Sequence, residues 1–279
     1  MPFILTLLCI FALSAFIPHA LAASALKHKG KKFLLIVLGI VAGFLAVLSE
    51  PGSQVSLDEF HDWYNNEHIP LRLNNLPAFL TGARYRASDA RTPSWIALYD
   101  IASTSAFGDE AYTRLRSHRS PREAALIKRL ELLDRRTLAA CAYLDSGENW
   151  EKTTSLRCGN PTPVLITHGL EVSGAASGDE GAVEAWWKGC LDIMATTDGW
   201  VRSRVFECID SGKVGTRIDE GRESQDVPRY FVVHEYTGTA AFTRHPSPGV
   251  EVVEHREWEL YRAYPCLAQR NLPEDQANQ

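Results

Sequence analysis

Residues 79–107 read FLTGARYRASDARTPSWIALYDIASTSAF, and the chain repeats their pattern between residues 200 and 242. Phe79-LTGARYRAS-Asp89 aligns without gaps to Trp200-VRSRVFECI-Asp210, and Pro93-SWIALYDIASTSA-Phe107 to Pro228-RYFVVHEYTGTAA-Phe242. The alternating, β-branched and aromatic composition of these runs marks strands. Outside them, Phe44-LAVLSEP matches Val164-LITHGLE, and Arg135-RTLAACAYLD matches His255-REWELYRAYP. Each half therefore reads strand, helix, strand, strand, helix, strand. That is the order of a ferredoxin-like unit, with helices on one face of a four-stranded antiparallel sheet. The fold class predicted is α+β, with tandem ferredoxin-like repeats over residues 43–145 and 163–267. Side chains alternate across a strand, so Ile96 and Leu98 group with Phe231 and Val233. Trp95, Ala97 and Tyr99 group with Tyr230, Val232 and His234. The plain hydrophobic set is expected under the helices, and the aromatic and polar set is expected to face a cavity.

The first helix is predicted over Ser56 to Leu73, SLDEFHDWYNNEHIPLRL, opened by a Ser56/Glu59 capping box. At helical spacing Leu57, Phe60, Tyr64 and Leu71 share one stripe, with Glu67 within it and His61 and His68 at its edge. Pro70 is expected to break or kink the backbone. The second helix of this half is expected in two pieces, Ala106 to His118 and Pro121 to Leu133, the latter started by Ser120-Pro121. In the other half the segment after Phe242 carries Pro246, Pro248 and Gly249 and does not favour a long helix. Ser146 to Pro163 reads as a polar linker crossing no core, and Ser211 to Asp226 as a Gly- and charge-rich loop.

Residues 1–42 form a hydrophobic leader: an apolar run, the basic knot Lys27 to Lys32, and a second apolar run of about 16 residues, short of the roughly 20 that span a bilayer. Signal peptide, membrane anchor and an extension from a wrong gene start all fit. A leader points to the secretory pathway or a membrane association. The five cysteines after Cys9 are odd in number and irregularly spaced, which suits a reducing compartment and gives neither a disulfide framework nor a zinc motif. A net charge of -5 without a basic stripe argues against a nucleic-acid partner.

The runs EFHDWYNNEHIPLRL, PAFLTGARYRA and PSWIALYDI resemble fungal EthD-like proteins of the dimeric α/β-barrel superfamily, over about residues 43–268. The resemblance implies two ferredoxin-like units pairing through their sheets into a barrel, here within one chain, as a monomer or as a homodimer. The superfamily it points to includes cofactor-free polyketide cyclases, dehydratases, decarboxylases and oxygenases, haem enzymes, and members with no known chemistry, so the resemblance does not choose one reaction. Trp63-Tyr64 with His68 and Pro70 occurs in the first half alone; Trp187 and Leu191 stand where Tyr64 and His68 would fall, so one pocket is expected. His68, with an ordinary pKa near 6.5, is expected as general base and Tyr64 as hydrogen-bond donor. Tyr99, Trp95, His61, His234 and Tyr230 are expected to bind the substrate. No metal and no cofactor are expected, with haem through His168 or His234 as the weaker alternative. The resulting expectation is a cofactor-free enzyme acting on an aromatic or polyketide-like molecule by cyclisation, dehydration or decarboxylation. The alternative is a non-catalytic barrel that binds a hydrophobic small molecule or only dimerises.

Overall fold

The computed structural model describes residues 41–146, 151–172, 180–194, 196–218, 225–238 and 249–274. The leader lies outside these except for its last two residues, and so do residues 239–248. The first half of the chain supplies β1 (Gly43–Glu50), β2 (Ala83–Ala87), β3 (Trp95–Ile101) and β4 (Leu132–Ser146). The second supplies β5 (Val164–Val172), β6 (Trp200–Val214), β7 (Tyr230–Tyr236) and β8 (Val250–Ala263). They close into an antiparallel barrel in the order β1-β3-β2-β8-β5-β7-β6-β4. Within each half the fourth strand flanks the first, the first the third, and the third the second. At both seams a second strand meets a fourth: β2 pairs with β8, and β4 with β6. Closure leaves no exposed edge among these strands.

Pairing corrects one detail of the sequence alignment. Phe44 pairs with Asp100, and Leu165 pairs with Glu235. Asp100 and Glu235 are matched residues, so the counterpart of Phe44 is Leu165, one position beyond Val164. A slip of one residue exchanges the two faces of a strand.

A larger correction concerns those faces. The sorting of side chains into two sets holds, but the sides are reversed. Ile96, Leu98, Phe231 and Val233 join Phe44, Leu48, Phe206 and Trp258 inside the barrel. Trp95, Ala97 and Tyr99 lie on the outer face with Phe60, Trp63 and Tyr64, and Tyr230 and Val232 with Trp186 and Trp187. An eight-stranded barrel has an interior just wide enough to be filled by side chains. Phe44 and Phe206 stack across it at 4.3 Å between ring centroids. The middle of the interior is a packed core; one cavity of about 250 Å³ lies at a barrel end beside Leu48, Asp134, Arg136 and Arg256, and a second lies under the helices.

The stretch between the halves also departs from expectation. Instead of crossing no core, it carries Leu156, fully buried in the barrel cluster. Ser155 and Thr162 donate to the Glu235 carboxylate, which also takes Arg202 Nε at 2.6 Å. Glu235 is completely buried, and a buried carboxylate needs such partners.

The outer face carries α1 (Leu57–Trp63), a π-helical turn (Tyr64–His68), α2 (Ile69–Leu73), a 3₁₀ turn (Thr104–Phe107), α3 (Glu110–Ser117), α4 (Pro121–Ile127) and α5 (Glu180–Met194). The helix expected to run from Pro121 to Leu133 stops at Ile127, because Leu132 and Leu133 already pair in β4. The loop expected from Ser211 begins later: β6 continues to Val214, opposite Leu133. Among the described residues no helix is long and apolar enough to cross a membrane.

Candidate active site

The helix following β1 begins as expected, with Ser56 Oγ accepting from the Glu59 amide at 3.2 Å. Its buried stripe is rotated from the one read at regular helical spacing. Leu57 and Leu71 are 48% and 36% exposed, while Phe60, Trp63, Tyr64, His68, Ile69, Arg72 and Leu73 are buried. Pro70 does not break the helix. The turn before it widens, so that the Ile69 N–H reaches the Tyr64 carbonyl, and α-helix resumes to Leu73. A proline ring collides with the carbonyl four residues back in a regular α-helix. The wide turn relieves that collision and re-aims His68; such turns recur at functional sites.

His68 Nδ1 lies 2.5 Å from Glu123 Oε1, with both side chains buried. Glu123 is placed by the N-terminus of α4. There Ser120 Oγ accepts from the Glu123 amide and donates to Glu67, while Arg122 pairs with Asp62. Burial, with the Arg72 charge adding, lowers the His68 pKa to about 4 against the opposing pull of Glu123. Burial works to raise the Glu123 pKa, but the His68 hydrogen bond and the Arg72 and Arg119 charges leave it lowered. At neutral pH the pair is a carboxylate and a neutral imidazole. A carboxylate only accepts, so the ring proton sits on Nδ1 and Nε2 keeps its lone pair.

A cavity of about 130 Å³ opens beside this pair, between the outer face of β1 and β4 and the helices. His68, Glu123, Arg72 and Tyr99 supply its polar lining; Leu45, Val47, Tyr112, Ile127 and Leu133 supply apolar walls. Arg116, Arg119, Arg135 and Lys213 stand around it, and Gly212 to Val214 of β6 bring the second half to one side. Gly82 matters to the Tyr99 wall. A Cβ there would lie 2.7 Å from Leu73 Cδ1 and 3.1 Å from the Tyr99 ring, so a side chain at this position would push on both.

The expected site residues are only partly brought together. His68 and Tyr99 share the cavity. The Tyr64 ring packs 5.1 Å from the His68 ring, and its hydroxyl donates to Ser49 Oγ at 3.5 Å, but it does not line the cavity. Trp95 and His61 instead surround the buried Arg84 guanidinium, together with Phe60, Tyr64 and Tyr261. Arg84 lies 4.1 Å over the Tyr64 ring and 5.2 Å over Trp95, and bonds His61 Nδ1 at 3.1 Å. Burial and Arg84 hold the His61 pKa down to about 4. His234 and Tyr230 belong to the outer face of the other half. His234 bonds Ser203 at 2.7 Å and His168 at 3.0 Å, and His168 bonds His255 at 2.9 Å. In the region matching the first helix, Trp187 is buried and Leu191 packs against the same cluster. Among the described residues no group of three histidine, cysteine, aspartate or glutamate side chains is arranged to hold a metal ion.

Two cavity residues escaped the sequence reading. Glu123 follows Ser120 by three, which reads as a capping residue. Arg72 follows Pro70, beyond the expected break. The signal for Arg72 was its spacing of four from His68, which sets both on one helix face.

The solved structures similar to this chain include three that match it over most of its length. An anthrone oxidase-like protein matches with a TM-score of 0.48 at 6% identity, covering 82% of this chain and 94% of that one. A monooxygenase candidate from Fusobacterium nucleatum subsp. nucleatum matches with 0.44 at 7% identity, covering 81% and 94%. A chlorite dismutase candidate matches with 0.44 at 11% identity, covering 80% and 95%. No protein-family model and no curated protein matches the sequence.

Proposed function

We propose that the cavity beside His68 is the active site of an enzyme that moves protons on a small aromatic molecule. One observation carries this reading: a histidine oriented by a buried carboxylate, with its second nitrogen left unprotonated, in a mostly apolar cavity. A positioned base of this kind typically accelerates proton transfer by about 10²- to 10⁴-fold. The volume narrows the substrate. A cavity of about 130 Å³ is close to the ~150 Å³ that admits a benzene ring. One ring of the ligand, alone or as the end of a polyketide-like molecule, enters it. His68 takes the proton, Glu123 holds the imidazole in the required tautomer, and Tyr99 lies in the wall as a hydrogen-bond donor. Tyr64 acts from behind, packing His68 in place. Cyclisation and dehydration of aromatic precursors begin with such an abstraction, whereas decarboxylation releases CO₂ and then needs a proton delivered to the carbon left behind. The chain is further read as two ferredoxin-like units, residues 43–145 and 163–267, that pair within one molecule. The matching strand order of the two halves supports this.

Proton abstraction is tested without knowing the natural substrate. The full chain is incubated in D₂O with a panel of single-ring aryl ketones and phenols, and loss of C–H signals is followed by NMR. The expected result is exchange into at least one compound, lost in His68→Gln with the melting temperature within a few degrees of wild type. Binding without exchange would make the protein a binding module, and exchange undiminished in His68→Gln would end the catalytic reading.

A further inference from the structure

We infer that the ligand of this cavity is an aromatic carboxylate whose charged group is taken by the Arg72 guanidinium, an inference that rests on reading the cavity as a small-molecule site. Arg72 is 6% exposed, and a guanidinium stays charged at any ordinary pH. Buried charges are normally paired, because an isolated one is costly to remove from water. Among the described residues no carboxylate lies within 4.0 Å of it. Its hydrogen bond runs to the His68 carbonyl at 2.6 Å, which uses one of its five donors. Glu123, the acid in the lining, is engaged by His68. The Tyr99 hydroxyl, buried in the same lining, has no hydrogen-bond partner among the described residues.

Arg72 and the Tyr99 hydroxyl therefore turn donors toward one small space, whose own acceptors are the Glu123 carboxylate, bonded to His68 through Oε1, and the His68 Nε2 lone pair. A carboxylate answers both: its oxygens match the planar fork of an arginine, and its remaining lone pairs can accept from a tyrosine. The attached ring fits among Leu45, Val47 and Tyr112. The approach has the same sign. Arg116 and Arg119 are exposed beside the cavity and form no ion pair among the described residues, in a chain whose net charge is -5. A cationic mouth of this kind concentrates anions in a salt-dependent way.

The test is calorimetric titration of the full chain with benzoate and with benzamide, a neutral molecule of nearly the same shape. Benzoate is expected to bind about tenfold tighter or more, the scale of one charge-assisted pair. Arg72→Gln should reduce benzoate to the benzamide level, and Arg72→Lys should restore part of the difference. Equal affinities in the wild type, or an undiminished preference in Arg72→Gln, would overturn the inference and leave Arg72 as a tie on its own helix. If Arg72→Gln does not fold, the wild-type ratio decides, together with its salt dependence in the Arg116→Gln/Arg119→Gln double variant, which should be weaker. This preference and the proton exchange assigned to His68 fail separately. Exchange with no preference for benzoate sinks the anion alone; preference for benzoate with no exchange sinks the catalysis alone.

Discussion

At the scale of single residues, the protein resolves a conflict around His68. Burial and the neighbouring Arg72 disfavour the imidazolium, while Glu123 favours it, and the net pKa is about 4. The base is therefore available across neutral pH, and rate should fall only when the imidazole is protonated. The exchange rate is expected to stay level from pH 8 down to about 5 and to halve near pH 4, where the fold persists. Glu123→Gln removes the partner that raises the His68 pKa, so the acid limb should move lower still. The same change removes the anchor of the tautomer. Loss of such an outer partner typically costs about 10- to 100-fold. A Glu123→Gln enzyme with unchanged rate, or with its acid limb shifted upward toward 6.5, would show that Glu123 does not position His68.

At the scale of elements, the π-helical turn over Tyr64–His68 is what separates a packing helix from a site. Pro70→Ala supplies the missing N–H and removes the ring, so a regular α-helical turn becomes accessible there. Helix content and melting temperature should change little, while His68 swings relative to Glu123. Misplacement of about 1 Å can cost on the order of 100-fold, so exchange is expected to drop at least tenfold. Full activity in a stably folded Pro70→Ala would show that the wide turn is incidental. This turn also marks where the sequence stops being readable. Strand positions were legible because alternation in PSWIALYDI and PRYFVVHEY is a local property. Which face looks inward is not local, since it depends on how narrow the closed barrel is, and Trp95, Ala97 and Tyr99 lie opposite to expectation. His68 and Tyr99 were legible as chemistry-bearing residues on elements of known period. Glu123 was not, because its partner His68 comes from a distant helix, and Arg72, four residues after His68, lies beyond the break expected at Pro70.

At the scale of the whole molecule, histidines are buried in both halves and held uncharged. Burial lowers the pKa of His68 to about 4 and that of His234 to about 3, in the latter case with the His255 charge adding. His234 faces His168, Ser203 and Trp187, with His255 and Glu257 further along the same chain of contacts. In the unfolded chain each of these imidazoles titrates near 6.5. Between pH 6.5 and 4 the unfolded state therefore binds more protons than the folded one, and stability must fall as pH falls through that window. Below about 4, buried carboxylates held low by their partners, Asp100 by Arg204 among them, add a second loss as they protonate. Urea midpoints are thus expected to be level from pH 9 to 7 and to decline by pH 5. His234→Gln should be less stable than wild type at pH 7.5, since it disturbs the contacts to Ser203 and His168. It should also lose less on going to pH 5, because one group that resists protonation is gone. A wild-type midpoint as high at pH 5 as at pH 7.5, or an equal decline in His234→Gln, would mean that these histidines take up protons without unfolding the barrel.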